Sequence, residues 1–383
     1  MTVSLPLQAR LLERGLSEVP AADWNRLVGA GMPYLRHEFL LAMETQGCLG
    51  EYVGWLPRHL LLEDTRGRLL GALPQYIKLN SFGEFVFDWA WAEAYQRAGL
   101  DYYPKLVVAP PFTPATGSRL LLDPDLPETS LSIQLIDSAI AAAESMGASS
   151  VHWLFATDAP LNDSPLLMRR SGCQFHWANR GYENFEAFLG ELTAKRRKEI
   201  LRERRQVREA GVELVQLPGD EVSSQEWRTF HTLYRHTFDK HGNYPALMLG
   251  FFEEVAATMG EQIRLVVARR QGQMIGAAYF LVGQDCLYGR YWGAREEIPG
   301  LHFEACYYQG IEYCIERGLQ RFEPGAQGEH KISRGFLPTR TRSYHWISHP
   351  GFRAPIADFL QRESLMMDDY HRRLMEKSPF KSV

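Results

Sequence analysis

The stretch Arg66-Gly67-Arg68-Leu69-Leu70-Gly71-Ala72 has a counterpart in the second half of the chain, Gln271-Gly272-Gln273-Met274-Ile275-Gly276-Ala277. In both stretches a turn containing glycine leads into an apolar run, and the second glycine stands at the same position. This pattern is typical of a β-hairpin. The two stretches lie roughly 200 residues apart, a period too long for a solenoid repeat. The sequence therefore predicts two copies of one domain.

Further matches occur in the same order along the two halves. Glu18-Val19 followed by Trp24 corresponds to Glu221-Val222 followed by Trp227. Farther on, Met146-Gly147 corresponds to Arg317-Gly318, and Ser171-Gly172-Cys173 corresponds to Arg334-Gly335-Phe336. The two members of each of the last matches are separated by fewer residues than those of the earlier matches. The first half therefore carries extra residues between its hairpin and its next helix.

The composition bounds the class of protein. Of 383 residues, 45% are apolar and 23% are charged, as in ordinary globular proteins, and the net charge of −4 gives no overall attraction to nucleic acid or anionic lipid. The five cysteines are scattered without C-x-x-C spacing, which predicts neither a disulfide framework nor a metal site. Residues 1–14 have no signal-peptide pattern, and no apolar run approaches the roughly 20 residues of a membrane span. We expect a cytoplasmic protein without a membrane span, and the oligomeric state stays open.

Apolar periodicity and turn residues predict the same order of elements in each half: helix, helix, hairpin, strand, loop, helix, strand, short helix, strand. Strand character is also predicted at residues 85–87, and a shaped loop at the proline-rich residues 103–117. The order resembles the GNAT acyltransferase fold, in which the sheet splays between two neighbouring strands. Predicted helices are residues 23–27, 36–45, 131–146, 225–238, 247–259, 303–317 and 354–377.

The predicted fold class is α/β (α+β), with two GNAT-like domains that each contain a mixed sheet flanked by helices. The first domain is predicted at residues 1–187 and the second, with a closing helix, at residues 213–383. A basic helical connector is predicted between them at residues 188–212. The two sheets are expected to be separate and to share one topology.

The connector is strongly basic, since residues 195–208 carry eight basic and two acidic side chains. Leu192, Ile200 and Val207 fall on one narrow arc of a helix, while Glu199 and Glu203 are expected to pair with basic neighbours on the same surface. One interpretation is a solvated connector. The other is a phosphate-binding surface, because the planar fork of arginine matches phosphate oxygens. The residues predicted to bind phosphate are Arg196, Arg197, Arg204 and Arg205.

Three strings carry a resemblance to a known family: Pro110-Pro111-Phe112-Thr113-Pro114 with Gly117 and Arg119, Lys195-Arg196-Arg197 with Ile200 and Arg204-Arg205, and Phe322-Glu323-Pro324-Gly325-Ala326-Gln327-Gly328-Glu329-His330-Lys331. With two GNAT-like domains, they resemble the Fem-type peptidyltransferases, which transfer an amino acid from aminoacyl-tRNA to a peptidoglycan precursor. The chain is more closely similar to the Fem-like predicted N-acyltransferases of peptidoglycan biosynthesis/recognition. The resemblance covers nearly the whole chain.

Candidate catalytic groups cluster after the predicted strand at residues 321–323. Amide formation needs a base for the amine proton and a donor for the oxyanion, and His330 and Lys331 have the right chemistry for these two roles. Glu323 and Glu329 complete the predicted catalytic set, although a loop held by its own salt bridges is the alternative. Predicted substrate-binding residues outside the basic helix are His241, Tyr244, His302, Glu304 and Arg334, with Glu304 alternatively serving as a helix cap.

The predicted function is an acyltransferase that moves an acyl or aminoacyl group to an amine of a small molecule or cell-wall precursor. The alternative is a degenerate GNAT-like protein that recognises such a ligand without turnover. No tightly bound cofactor or metal is predicted, and the donor is either aminoacyl-tRNA, which would make tRNA a partner, or acyl-CoA. Residues 294–303 carry one glycine and two acids where GNAT enzymes bind pyrophosphate, which disfavours acetyl-CoA bound in the usual way.

Overall fold

The computed structural model describes residues 7–326 and 328–381; Gln327 of the third family string lies outside them. Two compact units divide the chain. Unit 1 contains the described residues up to Cys173 together with Arg340–Tyr370, and unit 2 contains Gln174–Thr339 and the residues from His371 onward. These units do not coincide with the predicted segments 1–187, 188–212 and 213–383. The reason is that two strands and the last helix run from one unit into the other.

Unit 1 is built on mixed α/β structure. Its strands are β1 (Leu7–Leu11), β2 (Trp55–Pro57), β3 (Leu60–Asp64), β4 (Leu69–Leu73), β5 (Gln75–Lys78), β6 (Lys105–Val108), β7 (Leu121–Leu122), β8 (Ser150–Trp153) and the first residues of β9 (Met168–Ala178). Its helices are α1 (Ala21–Val28), α2 (His37–Thr45), α3 (Trp89–Arg97), α4 (Glu128–Ser145) and α5 (Ala159–Asp163).

Unit 2 continues from the end of β9 and repeats the order of elements. Its helices are α6 (Phe185–Glu191), α7 (Ala194–Glu209), α8 (Ser224–Lys240), α9 (Leu249–Met259), α10 (Leu301–Phe303) and α11 (Gln309–Arg317). Its strands are β10 (Glu213–Pro218), β11 (Ile263–Arg270), β12 (Gln273–Val282), β13 (Cys286–Ala294) and β14 (Arg321–Glu323), followed by β15 (Leu337–Ile347), which passes into unit 1 and leads to α12 (Pro350–Met375).

The repeated sequence strings have matching structural roles. Gly67 and Gly272 both have φ of 77° in the turns of the β3–β4 and β11–β12 hairpins, a conformation that favours glycine. Trp24 of α1 and Trp227 of α8 are both buried, each in a helix that precedes the hairpin of its unit. The internal repeat is therefore real at the level of hairpin, helix and core.

The sheet topology differs from the expectation of two separate sheets that share one topology. In unit 2 the strands run in the single order β10-β11-β12-β13-β14, with β13 and β14 parallel. In unit 1 the equivalent strands divide between two sheets, β1-β3-β4-β7 and β15-β8-β6-β5-β2. Pro74 separates β4 from β5, and its missing N–H ends the hairpin pairing there. The units share a connection order, but their sheets are neither identical nor formed from separate halves of the chain.

Strands β9 and β15 explain why the chain does not divide at one point. Trp177 and Ala178, at the end of β9, pair with β14 in unit 2. The end of β15 pairs antiparallel with β8 in unit 1, with Tyr344 opposite Trp153. Each unit thus completes its sheet with a strand whose other end belongs to the other unit. The predicted order of elements includes a strand after a short helix, as β9 is, but gives no bounds for it, and only residues 343–347 of β15 were predicted.

Two further local predictions are wrong. Residues 85–87 form no strand; they belong to an irregular segment before α3, and Phe85 has φ of 61°. Residues 103–117 are not wholly loop, since β6 lies within them and is buried at all four positions. In both segments, packing against distant parts of the chain determines the conformation and overrides the local sequence propensity.

Candidate functional site

The strands β13 and β14 of unit 2 separate at a defined point. Their parallel pairing ends with Tyr288 opposite Glu323, and β13 continues for six more residues, to Ala294. The next residue on each strand, Gly289 and Pro324, lines a cavity of about 110 Å³. This is the splay that the GNAT-like order of elements predicts. The other lining residues are Ala278, Tyr279, Phe280, Arg290, Tyr291, Trp292, His302, Cys306 and Tyr307.

The helical wall of this splay cavity has an irregular backbone. Between α10 and α11 the chain forms one π-helical segment, Glu304–Tyr308, which contributes Cys306 and Tyr307 to the lining. π-Bulges within helices occur frequently at functional sites because they re-aim side chains locally. His302 lies two residues before the segment, with its ring centroid 5.7 Å from that of Trp292 on β13.

A 3₁₀ segment, Glu329–Arg334, carries the predicted base and oxyanion donor; neither residue lines the cavity, but His330 contacts a residue that does. His330 Nε2 lies 2.9 Å from the hydroxyl of Tyr307, and Lys331 Nζ donates to the carbonyl oxygen of Gly325 at 2.9 Å. Gly328 has φ of 118°, and a Cβ there would come within 2.5 Å of the His330 ring. Glycine is therefore required for the imidazole to reach this position.

Burial shifts the protonation of these groups. Burial lowers the pKa of Lys331 to about 8, with the nearby Cys306 thiol acting weakly in the opposite direction. The pKa of His302 falls to about 4, first through burial and then through the positive charges of His330, Lys331 and Arg334. Burial also lowers the pKa of His330, again reinforced by Lys331 and Arg334. At neutral pH the site therefore holds two neutral imidazoles beside a largely protonated amine.

Arg334 is part of an ion-pair network with the basic helix α7. Its Nη2 donates to Glu203 Oε1 at 2.6 Å, and its Nε donates to the hydroxyl of Tyr308 at 3.1 Å. The guanidinium also stacks on the ring of Phe303, 3.3 Å from its centroid. Arg334 thus fixes the 3₁₀ segment against α7 and the π-helical segment.

Arg204 and Glu304, two predicted substrate-binding residues, bind each other. Arg204 Nε donates to Glu304 Oε2 at 3.0 Å, and its Nη1 donates to Glu312 Oε1 at 2.6 Å. Glu304 is buried, with 4% of its surface exposed. Both glutamates raise the pKa of Arg204, although burial opposes them. Within unit 2 the two carboxylates therefore accept the hydrogen bonds of the Arg204 guanidinium and neutralise its charge.

The other basic residues of α7 lie nearer to solvent. Arg196 donates to Glu199 at 2.7 Å, and Arg205, whose side chain is 63% exposed, lies 3.8 Å from Glu209. Glu203 binds Arg334 across the fold, so the expectation that both acids pair with neighbours along the helix holds for Glu199 alone. Leu192, Ile200 and Val207 are buried, as the apolar arc predicted. An open depression of about 510 Å³ lies on the outer face, lined by Lys195, Lys198, Glu199, Leu201, Arg202 and Arg205.

The remaining predicted site residues lie apart from the splay cavity lining. His241 and Tyr244 follow α8 and are exposed, Tyr244 by 56%. Glu329 forms a surface ion pair with Lys377 at 3.0 Å. Glu323 is buried at the end of β14, with Oε2 4.0 Å from His176 Nε2 and Oε1 3.9 Å from Arg321 Nη1.

Sequence reasoning missed several residues that line the splay cavity or hold its walls. Tyr307 contacts His330, Cys306 lies beside Lys331, and Glu203 holds Arg334. The only local signal was that Cys306 and Tyr307 stand one helical turn after His302 and Phe303. In the part of the chain that the structure describes, no three His, Cys, Asp or Glu side chains form a group able to hold a metal ion. Likewise, every helix among these residues is too short or too polar to cross a bilayer.

Together the fold and this site define a tandem GNAT-like protein. The family model described as peptidoglycan biosynthesis/recognition, FemAB-like, matches residues 15–382. The chain therefore belongs to the FemAB-like family. No curated protein matches the sequence with significance.

Solved structures share the fold at low sequence identity. The crystal structure of FemX matches with a TM-score of 0.54 at 10% identity, covering 91% of this chain and 100% of that one. The C-terminal domain of a putative lysylphosphatidylglycerol synthetase from Agrobacterium fabrum matches with a TM-score of 0.52 at 10% identity, covering 90% and 96%. A conserved protein of unknown function from Bacteroides thetaiotaomicron matches with a TM-score of 0.51 at 10% identity, covering 89% and 98%. At such identities the likeness is one of fold.

Proposed function

We propose that the protein transfers an acyl or aminoacyl group to an amine of a cell-wall precursor, with the reaction in unit 2. The observation that carries this proposal is the splay cavity, approached by His330 through Tyr307 and by Lys331 through Gly325. Membership of the FemAB-like family supports the substrate class.

The two residues have complementary roles in amide formation. The attacking amine must lose a proton, and a neutral His330 can accept it because its pKa lies below the usual range. The amine nitrogen bonds to the donor's carbonyl carbon, and the carbonyl oxygen becomes an oxyanion that the Lys331 ammonium can stabilise. When the carbon–oxygen bond to the donor breaks, the departing alkoxide takes from His330 the proton that the amine released.

Three observations favour aminoacyl-tRNA as the donor over acyl-CoA. Glu296 and Glu297, in the segment where GNAT enzymes bind pyrophosphate, form ion pairs with Arg270 and Lys240. Gly300 has φ of 84°, and a Cβ there would lie 2.9 Å from the carbonyl oxygen of Glu203, so this glycine serves close packing against α7. In addition, the exposed basic face of α7 offers the charge that a polyanionic donor needs.

Turnover with defined donors tests the proposal. The purified protein is incubated with a UDP-linked muropeptide precursor and, in parallel, with alanyl-, glycyl-, seryl- or lysyl-tRNA or acetyl-CoA. Mass spectrometry then detects the added acyl group on the precursor amine. We expect a product with an aminoacyl-tRNA and none with acetyl-CoA. Product formed equally by a His330→Ala, Lys331→Ala double variant would exclude this site.

The same experiment separates catalysis from recognition. If the precursor binds in equilibrium dialysis but no donor yields product, the protein is a recognition protein of the same family. The ion pairs at Glu296 and Glu297 are the feature that favours this second function, because they occupy the segment that holds pyrophosphate in GNAT enzymes.

A further inference from the structure

A loop of unit 1 exposes its apolar side chains to solvent. In residues 79–89, the aromatic loop, five large apolar side chains are exposed: Leu79 by 38%, Phe82 by 67%, Phe85 by 37%, Phe87 by 50% and Trp89 by 42%. The ring centroids of Phe82 and Trp89 lie 5.1 Å apart, so these two side chains contact each other at the surface. Contiguous apolar surface of this kind marks an interaction site far more often than a scattered exposed leucine does.

A neighbouring turn extends the patch. The backbone N–H of Leu79 donates to the carbonyl oxygen of Gly54 at 3.2 Å, and Asn80 Nδ2 donates to that of Val53 at 3.3 Å. These bonds fasten the turn that carries Tyr52, whose surface is 58% exposed, beside the aromatic loop.

The charges of the same loop point inward. Glu84 and Asp88 are only 3% and 1% exposed, and both accept hydrogen bonds from the fully buried Nζ of Lys105. Lys78, at the start of the loop, is also fully buried and donates to the carbonyl oxygen of Phe82 at 3.1 Å. The usual arrangement of a surface loop, with charges outside and rings inside, is therefore inverted.

Backbone strain shows that this inversion is held in place. Phe85 has φ of 61°, a left-handed backbone conformation that is uncommon for a bulky residue. Such a residue persists only where the surroundings fix it, and here the flanking Glu84 and Asp88 are tied to Lys105. The aromatic rings are therefore exposed by a segment whose conformation is held by the ion pairs of Glu84 and Asp88 with Lys105.

We propose that the aromatic loop inserts into the interfacial region of a phospholipid bilayer. Among residues 78–89 every ionisable side chain is buried, so insertion desolvates no charge, whereas an exposed charge would oppose entry into hydrocarbon. Tryptophan and other amphipathic rings favour the membrane–water interface. A docking site for a protein partner normally has a polar rim around its apolar centre, and this loop turns its charged groups away from the surface. Because the loop presents no charge, the lipid surface it fits is a zwitterionic one.

Vesicle binding of the full chain tests this inference. Phosphatidylcholine vesicles are mixed with the protein, and the bound fraction is measured by flotation from about 0.05 M to about 0.5 M NaCl. We expect binding that does not weaken with salt and that falls about tenfold or more in the Phe82→Ser, Trp89→Ser double variant. Brominated phosphatidylcholine should quench part of the tryptophan fluorescence, and Trp89→Phe should remove that part while keeping binding.

A matched control and a second variant keep the test decisive. Leu365 and Met366 of α12 are 67% and 61% exposed, and Leu365→Ser, Met366→Ser should leave vesicle binding unchanged. If the double variant loses its native circular dichroism spectrum, the single substitution Phe87→Ser, at another exposed ring of the loop, is used in its place. The inference is overturned if the wild-type protein does not bind phosphatidylcholine vesicles, or if the loop variants bind them as well as the wild type does. It is also overturned if binding needs anionic lipid and fades with salt, or if the loop variants abolish self-association in place of vesicle binding.

Discussion

Arg334 donates a hydrogen bond of 2.6 Å to Glu203, which stands 131 residues earlier on the basic helix α7. Both side chains are largely buried, with exposures of 10% and 13%. The bond joins α7 to the 3₁₀ segment that carries His330 and Lys331. The basic helix therefore helps to hold in place the segment that carries the candidate catalytic residues.

Breaking this ion pair should destabilise unit 2. Arg334→Ala leaves a buried carboxylate without its partner, and removal of one member of a buried pair costs about 3–5 kcal/mol. Urea unfolding followed by tryptophan fluorescence would show the loss. Arg205→Ala is the control, because that arginine is exposed and lies 3.8 Å from its nearest carboxylate; its midpoint should stay at the wild-type value. Equal midpoints for both variants would contradict the structural role of Arg334.

Substitution of the two proposed reactive residues should separate activity from stability. His330→Ala should lower kcat by roughly 10² to 10⁴-fold, the usual contribution of a general base. Lys331→Ala should raise the barrier by about 2–4 kcal/mol, as the loss of an oxyanion donor does. Glu329→Ala, which removes the surface pair with Lys377, is the matched control. Full activity in a folded double variant would place the chemistry elsewhere.

The pH dependence of kcat/KM should be bell-shaped. His330 must be neutral to accept a proton, so the rate should rise through a pKa below the usual 6.5. Lys331 must be charged to stabilise the oxyanion, so the rate should fall as pH rises through about 8. Lys331→Arg should move the alkaline limb upward, since arginine stays protonated there. A flat profile from pH 8 to 10 in the wild type would argue against a charged Lys331.

Binding of tRNA should depend on the exposed residues of α7. Lys198→Ala with Arg205→Ala should weaken binding and reduce the slope of log K against log salt by up to about 0.7–0.9 for each lost phosphate contact. Fluorescence anisotropy with labelled tRNA at several KCl concentrations measures both. Arg204→Ala should instead lower stability, because Arg204 is paired with Glu304 and Glu312. A salt-independent affinity would leave only the structural role of the helix.

Close packing of α8 on β13 gives a prediction independent of function. A Cβ at Gly293 would lie 2.4 Å from the carbonyl oxygen of Leu233, so Gly293→Ala should cost about 1–3 kcal/mol through overpacking. Gly190, near the end of α6, has no atom within 4 Å of such a Cβ. Gly190→Ala should therefore be neutral or stabilising by about 0.5–1 kcal/mol. Calorimetric melting of both variants provides the comparison.

The sequence by itself determined features that repeat at short range. The hairpin glycines Gly67 and Gly272 have the same φ, and the caps Gly147 and Gly318 end helices at corresponding places. The arc of Leu192, Ile200 and Val207 is buried as its spacing predicted. These features follow from periodicity and backbone conformation, which a few neighbouring residues encode.

Only the tertiary structure decided how distant charges and strands are matched. Arg204 and Arg205 are adjacent and chemically identical in sequence, yet one is bound between the buried Glu304 and the partly buried Glu312 and the other is exposed. Likewise, no local pattern indicates that β9 and β15 each serve two units, or that Lys105 holds Glu84 and Asp88. The physical reason is that the energy of a charge or a strand edge depends on what folding brings beside it, and those partners lie tens to hundreds of residues away.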